Sequence, residues 1–506
     1  MLSKRFIQAA ILAGCVLLVF SACGGSKKPQ PAQKETLVVA MTNEPQTLAP
    51  YSHSHMYGFT VATLIFETLI TKGPNETFLP RLAKEWTQID PTTFDFKLRD
   101  DVTFHDGSKM TAEDVKFSLT QLATSTFNSV IFGAIDGDAT RVIDDYTIQI
   151  KLKYPYSPLF EALASYRAVI VSKKLYEATT PEAFGRAPVG TGPMKFVQWV
   201  SGDRIEFSAY DGYWGEQLPF KNVNARVIVE AASRTIELET GGIDYAFDMS
   251  PSDWDRIANG KNTQLVKGVS LQTSTIFMNS SFDLFKDIRV REAMAYALNL
   301  DALVQTVYQG TAQVADSFMV PGLLGYKKVG PRPYDPEKAK QLLAEAGYPN
   351  GIEFQYYTYE NQIYMAVAEV LESMWSQAGI KAHVNIIDLA SYTSMNNTGQ
   401  IPVAYMNPST AMADPSAALY IWPITRTISL RHGDQKIQDF LDAGAREYDT
   451  ARRAKVYEDM MDYLYEKCYA IPGAFPEFAY GLNANITGFE FNPSGVPDLT
   501  KIRFTN

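Results

Sequence analysis

Between residues 93 and 99 apolar and polar side chains alternate: Phe94, Phe96 and Leu98 are interleaved with Asp95, Lys97 and Arg99. A two-residue period is that of a strand with one face buried. The pattern predicts a second short strand through Val102 and Phe104. A turn at His105-Asp106-Gly107 follows, where glycine supplies the backbone freedom for a tight reversal. Thr111 is placed to cap a helix with Asp114 three residues on, and Val115, Leu119 and Leu122 fall on one helical face.

Other segments extend this alternation of strands and helices. Residues 36–41 read as a short buried strand, and the apolar run 61–70, with Glu67 inside it, has helical length and period. Residues 141–152 alternate as a hairpin-like strand that Tyr154-Pro155-Tyr156-Ser157-Pro158 breaks. A first crossing between lobes is expected at the strand 275–279. Asp287 then caps a helix with Val290, Ala293, Met294, Ala297 and Leu298 on one face. Asp335-Pro336-Glu337 opens another, with Ala339, Leu342, Leu343 and Ala346 inside and Gly347 as its stop. A strand over 352–358, a helix over 364–378 ending at Gly379 and a strand over 382–387 imply an α/β lobe. A long helix over 446–469 precedes a strand over 478–482, which returns the chain to the first lobe.

Length changes this picture by requiring more than one core: 506 residues suffice for two or three lobes. With 46% hydrophobic and 20% charged residues the composition is that of a globular protein. The N-terminus differs. Lys4 and Arg5 precede an apolar run over 6–20, too short for a membrane span but fitting a secretory leader, and Ser21-Ala22-Cys23 is similar to a bacterial lipobox. Residues 1–22 are therefore expected to be a lipoprotein signal peptide, with Cys23 lipidated. Residues 23–35, rich in Gly, Pro, Lys and Gln, are expected to form a flexible linker from that anchor.

The formal net charge of −10 disfavours nucleic acid as a partner. Cys15 leaves with the leader and Cys23 carries lipid, so Cys468 stands alone and reads as a small buried hydrophobe. No GxSxG, HExxH, paired CxxC or Walker loop is present, and no resident cofactor is implied. The glycines of Ala187-Pro188-Val189-Gly190-Thr191-Gly192-Pro193 lack the Gly-Lys-Ser/Thr of a phosphate cradle. Asp100-Asp101, Asp144-Asp145 and Asp136-Gly137-Asp138 read as turn charges rather than an acid/base pair or a calcium loop.

With Ala83 and Trp86 just upstream, the string over 93–119 resembles the signature of the extracytoplasmic solute-binding proteins of family 5, the peptide and nickel binding proteins of ABC importers. Further landmarks of that family are similar to Phe66-Glu67-Thr68-Leu69, the segment 187–196, Tyr213-Trp214-Gly215, the turn 240–244 and the string 287–299. The resemblance covers essentially the whole mature chain. It implies an α/β, two-lobed periplasmic-binding-protein fold (type II, cluster C) with an extended first lobe and a cleft between lobes. Residues 36–278 plus 480–506 would form lobe I with an extra subdomain, and 279–479 lobe II.

What the resemblance implies is binding, not catalysis. A monomeric lipoprotein anchored to the bacterial cell membrane would capture a solute and deliver it to permease and ATPase subunits. Oligopeptide is the first solute class, with a nickel or other metal chelate as the alternative and a sugar allowed by the same likeness. A receptor or chaperone on the same fold is the competing class.

In peptide-binding relatives a carboxylate three residues before an Asp/Glu-Pro pair captures the peptide amine. Here the pair is Asp414-Pro415 and Ala411 stands three before it, while Met365 or Ala366 replaces the arginine of dipeptide binders. A simple zwitterionic dipeptide is thereby disfavoured. Arg167 falls where nickel-binding relatives hold chelate carboxylates, a role that suits a guanidinium. The bland alternative for Arg167 is a surface ion pair. His53 and His55 lie in an early loop that faces the cleft in relatives, and His432 lies beyond Asp414; all three are candidate metal ligands. Tyr51, Tyr57, Tyr405 and Trp422 fall in segments that line the cleft in relatives, where flat rings can stack on a ligand.

Overall fold

A computed structural model of the protein describes residues 34–52, 56–73, 77–408, 410–420, 422 and 431–505. The alternation at 93–99 forms the strand Thr93–Leu98, which sits between Ala83–Asp90 and Thr147–Lys151 in a four-stranded antiparallel sheet. Phe94, Phe96 and Leu98 are buried beneath it. The second strand expected through Val102 and Phe104 is reduced to a single bridge between Thr103 and Lys109. Its backbone donors are committed elsewhere: Phe104 N–H bonds Ser108 O at 2.8 Å, and His105 N–H bonds Gly190 O at 2.9 Å.

At the following helix, Ala112–Thr124, the expected pair Thr111 and Asp114 forms a capping box. Asp114 is the main acceptor, taking both the Thr111 N–H (2.9 Å) and the Thr111 hydroxyl (3.1 Å) on Oδ2. Its Oδ1 accepts from Lys173 N–H at 2.9 Å, so the capping residue also joins two segments.

The run 61–70 departs most from its predicted state. A helix occupies Met56–Ala62 and ends there, and Ile70 opens the strand Ile70–Lys72. Tertiary partners override the periodicity: Gly192 N–H bonds Ile65 O at 2.8 Å and Met194 N–H bonds Leu64 O at 3.0 Å. A Cβ at Gly190 would stand 2.1 Å from Ile65 O, and one at Gly192 2.5 Å from Leu64 O. The glycine-rich segment is thus a site of close backbone approach. Glu67, fully buried, accepts from Arg81 Nε (3.2 Å), Tyr213 Oη (3.0 Å) and Trp214 Nε1 (2.9 Å).

His105 is buried against the same segment. Its Nε2–H donates to Gly192 O at 2.9 Å, and Nδ1 accepts from Gly190 N–H at 3.4 Å. Burial lowers its pKa to about 4, below the ordinary 6.5. Because the folded value is depressed, the unfolded chain binds the extra proton between these values, and stability falls as pH drops from about 6.5 to 4. Urea unfolding of the wild type against His105→Asn should show this contribution as a loss of about 1.4 kcal/mol per pH unit across that window. Parallel pH profiles for the two proteins would refute it.

The largest sheet connects the lobes. Thr36–Met41 runs parallel to Asn222–Val227 and to Tyr245–Phe247. The fourteen-residue strand Ala470–Asn483 pairs with Tyr245–Phe247 and Thr263–Val269 through its later residues, and with Ser274–Met278 through its earlier ones. Ser274–Met278 pairs in turn with Val403–Met406. One apolar core gathers Leu37, Phe66, Phe94 and Phe207 with Tyr480 and Leu499. Two others are built around Met294 and Trp375 and around Phe277, Trp422 and Tyr457.

In the second lobe Ile352–Tyr359 and Ile380–Ile387 are parallel, with helix Gln362–Gln377 between them. Its N-cap is Asn361, whose Oδ1 accepts from Ile363 and Tyr364 N–H at 3.0 and 3.2 Å. Tyr364 is therefore in the first turn rather than at the start. The long helix expected over 446–469 is the element Thr450–Lys467, preceded by a separate helix Gln435–Arg446; Asp449 caps the second by accepting from Arg452 N–H at 2.9 Å. Cys468 is fully buried at its end, and burial pushes its thiol up to about 11. Among the described residues no helix is long and apolar enough to cross a membrane.

Candidate functional site

A cleft of about 570 Å³ opens between the two lobes. That volume lies within the roughly 300–1,000 Å³ typical of small-molecule sites. The first lobe contributes Met56 and Tyr57 from the helix Met56–Ala62, Thr126 and Phe127 beyond the helix Ala112–Thr124, and Tyr166 and Arg167 beyond Leu159–Ala164. Facing them are Tyr364 and the segment 406–408 with Thr410 and Ala411, and the lining is completed by Tyr420 and by Ala417, which packs in the first core.

Arg167 is the one charged side chain among the described lining residues. Its Nη1 donates to Asn128 Oδ1 at 3.1 Å, Asn128 Nδ2 donates to Ser125 Oγ at 3.3 Å, and Ser125 Oγ donates to Tyr51 O at 2.8 Å. Phe59 and Tyr166 carry the guanidinium on their rings, at 4.9 and 5.8 Å. Nε is sealed without a partner, and no ion pair to Arg167 occurs among the described residues. A guanidinium held by neutral groups beside a cavity is a ready carboxylate anchor.

Tyr57 also lines the cleft, edge-on to Phe247 at 6.0 Å. Burial raises the pKa values of Tyr57, Tyr166 and Tyr364, so these phenols are neutral. Ala411 lies on the opposing wall, where it offers no charge to an amine.

The remaining candidates occupy other places. Tyr51 is in the first core, where its Oη donates to Val169 O at 2.7 Å. It supports Arg167 only through its own carbonyl. Tyr405 is buried behind the cleft wall, bonded to the Tyr308 hydroxyl and edge-on to Tyr364 at 5.1 Å. Trp422 is enclosed by Phe277 and Phe318, at 5.9 and 5.4 Å.

Asp414 is spent on structure. Its two oxygens accept from Arg453 Nη1 and Nη2 at 2.8 Å each, and Oδ1 also accepts from Ser416 N–H at 2.9 Å to cap the helix Pro415–Ala418. Burial opposes the Arg453 charge, but Asp414 outweighs it and raises that guanidinium above its ordinary range. His432 uses both ring nitrogens: Nε2–H donates to Trp422 O at 2.9 Å and Nδ1 accepts from Asp434 N–H at 2.9 Å. That bonding leaves no lone pair for a metal, and burial lowers its pKa. His53 and His55 lie outside the described residues, as does Cys23. Among the described residues no cluster of His, Cys, Asp and Glu could hold a metal ion.

Phe127, Tyr166, Tyr364, Asn407 and Tyr420 were not expected from sequence. Tyr166 had a signal, its adjacency to Arg167. The others are brought in by helix starts and loop paths that periodicity does not specify.

Comparisons with known proteins agree with this architecture. The family model described as "Bacterial extracellular solute-binding proteins, family 5 Middle" matches residues 77–428. The glutathione-binding protein GsiB of Escherichia coli O1:K1 / APEC is 29% identical over 477 residues, 91% of this chain and 93% of that protein. Among solved structures, the binding protein AgaA in complex with agropinic acid, from A. tumefaciens R10, superposes with a TM-score of 0.80 at 28% identity, covering 93% of this chain and 99% of that one. The periplasmic binding protein DppA of Helicobacter pylori, in complex with the peptide STSA, gives 0.81 at 23% identity, covering 93% and 98%.

Proposed function

This chain belongs to the bacterial extracellular solute-binding proteins of family 5, and from that premise we propose that its solute is a short, carboxylate-bearing oligopeptide. It is the substrate-binding component of an ABC importer, with permease and ATPase subunits as partners, and its relatives are binding proteins rather than enzymes. The observation that carries the oligopeptide reading is Arg167, a cleft guanidinium held by Asn128 and two rings with no ion pair among the described residues. Relatives named for glutathione and agropinic acid support an organic acid as the solute. The aromatic walls at Tyr57, Phe127, Tyr166, Tyr364 and Tyr420 suit varied side chains.

Binding acts through closure. The Arg167 side of the cleft belongs to one lobe and Tyr364, Asn407 and Ala411 to the other, so a ligand touching both stabilises the closed arrangement relative to the open one. No bond in the solute changes. The lipobox-like Ser21-Ala22-Cys23 supports anchoring to the membrane through lipid on Cys23, with residues 23–35 as the tether.

Solute released by denaturing freshly purified protein tests the reading, by mass spectrometry together with elemental analysis. The expected result is one or more short peptides with free carboxylates and no stoichiometric nickel. Nickel without peptide would replace this reading with the metal-chelate alternative.

A further inference from the structure

Behind the second-lobe wall of the cleft lies a row of hydroxyls that ends on a cleft residue. Tyr405 Oη bonds Tyr308 Oη, Tyr308 Oη is 2.8 Å from Ser274 Oγ, and Ser274 Oγ donates to Asn407 Oδ1 at 3.0 Å. Tyr405, Tyr308 and Ser274 are all buried, while Asn407 is half-buried and lines the cleft.

Counting protons fixes the direction of this row. Each hydroxyl has one proton to give, and an amide oxygen only accepts. Running from Tyr405 through Tyr308 and Ser274 to Asn407 Oδ1, every proton finds an acceptor. Run the other way, from the Asn407 NH2 outward, the row would end on the buried Tyr405 proton, which has no acceptor beyond its neighbouring hydroxyls among the described residues. The first direction gives each proton its own acceptor and is the one in which Ser274 Oγ donates to Asn407 Oδ1. The Asn407 carbonyl is therefore turned inward and its NH2 outward. Nδ2 makes no hydrogen bond to the described residues and is not among the sealed polar atoms, so it is open to the cleft.

Both walls consequently offer donors: the Arg167 guanidinium on one and the Asn407 NH2 on the other. No described lining residue is an Asp or Glu, and residues 53–55 and 421–430 contain neither. An ammonium at the second wall would meet no carboxylate among the described lining residues; Asp248, beside Tyr57, stands at the first wall.

We infer that Asn407 is a specificity-determining residue whose NH2 requires a hydrogen-bond acceptor at the second-lobe end of the ligand. The site then selects peptide acids with a blocked amine over zwitterionic peptides. This rests on the oligopeptide reading and names the class of peptide within it. Specificity comes as much from rejection as from attraction, because a free ammonium placed against an NH2 donor is repelled and left unpaired.

The test uses isothermal titration of the whole mature protein with N-acetyl-Ala-Ala-Phe and with unblocked Ala-Ala-Phe. Asn407→Asp keeps an oxygen for Ser274 and replaces the cleft NH2 with a carboxylate oxygen. The wild type should bind the acetylated acid at least tenfold more tightly than the free-amine peptide, and N407D should lose at least tenfold for the former and reverse the order. Should N407D fail to fold by circular dichroism, Asn407→Ala carries the test through loss of the wild-type preference. If the wild type binds both peptides and neither variant alters their ratio, the role of Asn407 is overturned while the oligopeptide reading stands. If the wild type binds neither peptide, the oligopeptide reading falls and this inference falls with it.

Discussion

Arg167→Ala should bind a carboxylate-bearing peptide at least tenfold more weakly than the wild type, a loss of about 1.4 kcal/mol. The guanidinium is fixed before ligand arrives, because Asn128 holds Nη1 and the rings of Phe59 and Tyr166 hold its face. Little side-chain entropy remains to be lost on binding, which favours affinity. Arg167→Lys should recover only part of the loss, since an ammonium cannot present the paired N–H donors of a guanidinium. Titration of both variants with the peptide acid and with its C-terminal amide separates charge recognition from packing. Only the acid should lose affinity strongly; an equal loss for both, or none, would remove Arg167 from the site.

Asp414→Ala should destabilise the protein by about 3–5 kcal/mol, the cost of leaving one partner of a buried ion pair alone. Asp414 and Arg453 are 3% and 8% exposed and bonded through both carboxylate oxygens, so water cannot replace the lost partner. Arg453 is further fixed by donating from Nε to Gly444 O at 2.8 Å. Asp414→Ala also removes the cap of Pro415–Ala418, worth about 1 kcal/mol more. Peptide affinity should fall with stability, because the same segment positions Ala411, Ala417 and Tyr420. Changing both partners to apolar residues of similar size, Asp414→Leu with Arg453→Met, should recover much of the loss. Urea unfolding measures these differences, and an Asp414→Ala protein within 1 kcal/mol of wild type would contradict the account.

Asp414 illustrates how a family landmark can be legible while its role is not. The Asp-Pro pair was recognisable as sequence, but nothing near it in the chain announces Arg453, thirty-nine residues away. Tyr51, Tyr405 and Trp422 pose the same difficulty. An aromatic residue in a cleft-bordering segment looks alike in sequence whether its ring faces ligand or core, and burial placed all three inside. Arg167 and Tyr57 do line the cleft. The run 61–70 marks the limit of periodicity, since the carbonyls of Leu64 and Ile65 bind Met194 and Gly192 instead of closing helical turns.

The sequence by itself determined many of the alternating elements, the helix starts at Thr111, Asp287 and Asp335 and the family, because strand period, capping chemistry and motif strings are local properties. Asp287 and Asp335 each accept from a nearby backbone N–H at their helix starts, as such residues commonly do. Tertiary structure alone decided which polar groups remain unpaired and available to a solute. Asp414 is neutralised by Arg453 and His432 by Trp422 and Asp434, whereas Arg167 has no paired carboxylate among the described residues. The Asn407 amide is oriented by hydroxyls from Ser274 and Tyr308, more than ninety residues distant. Availability depends on what has been brought alongside each group, and that is set by long-range packing.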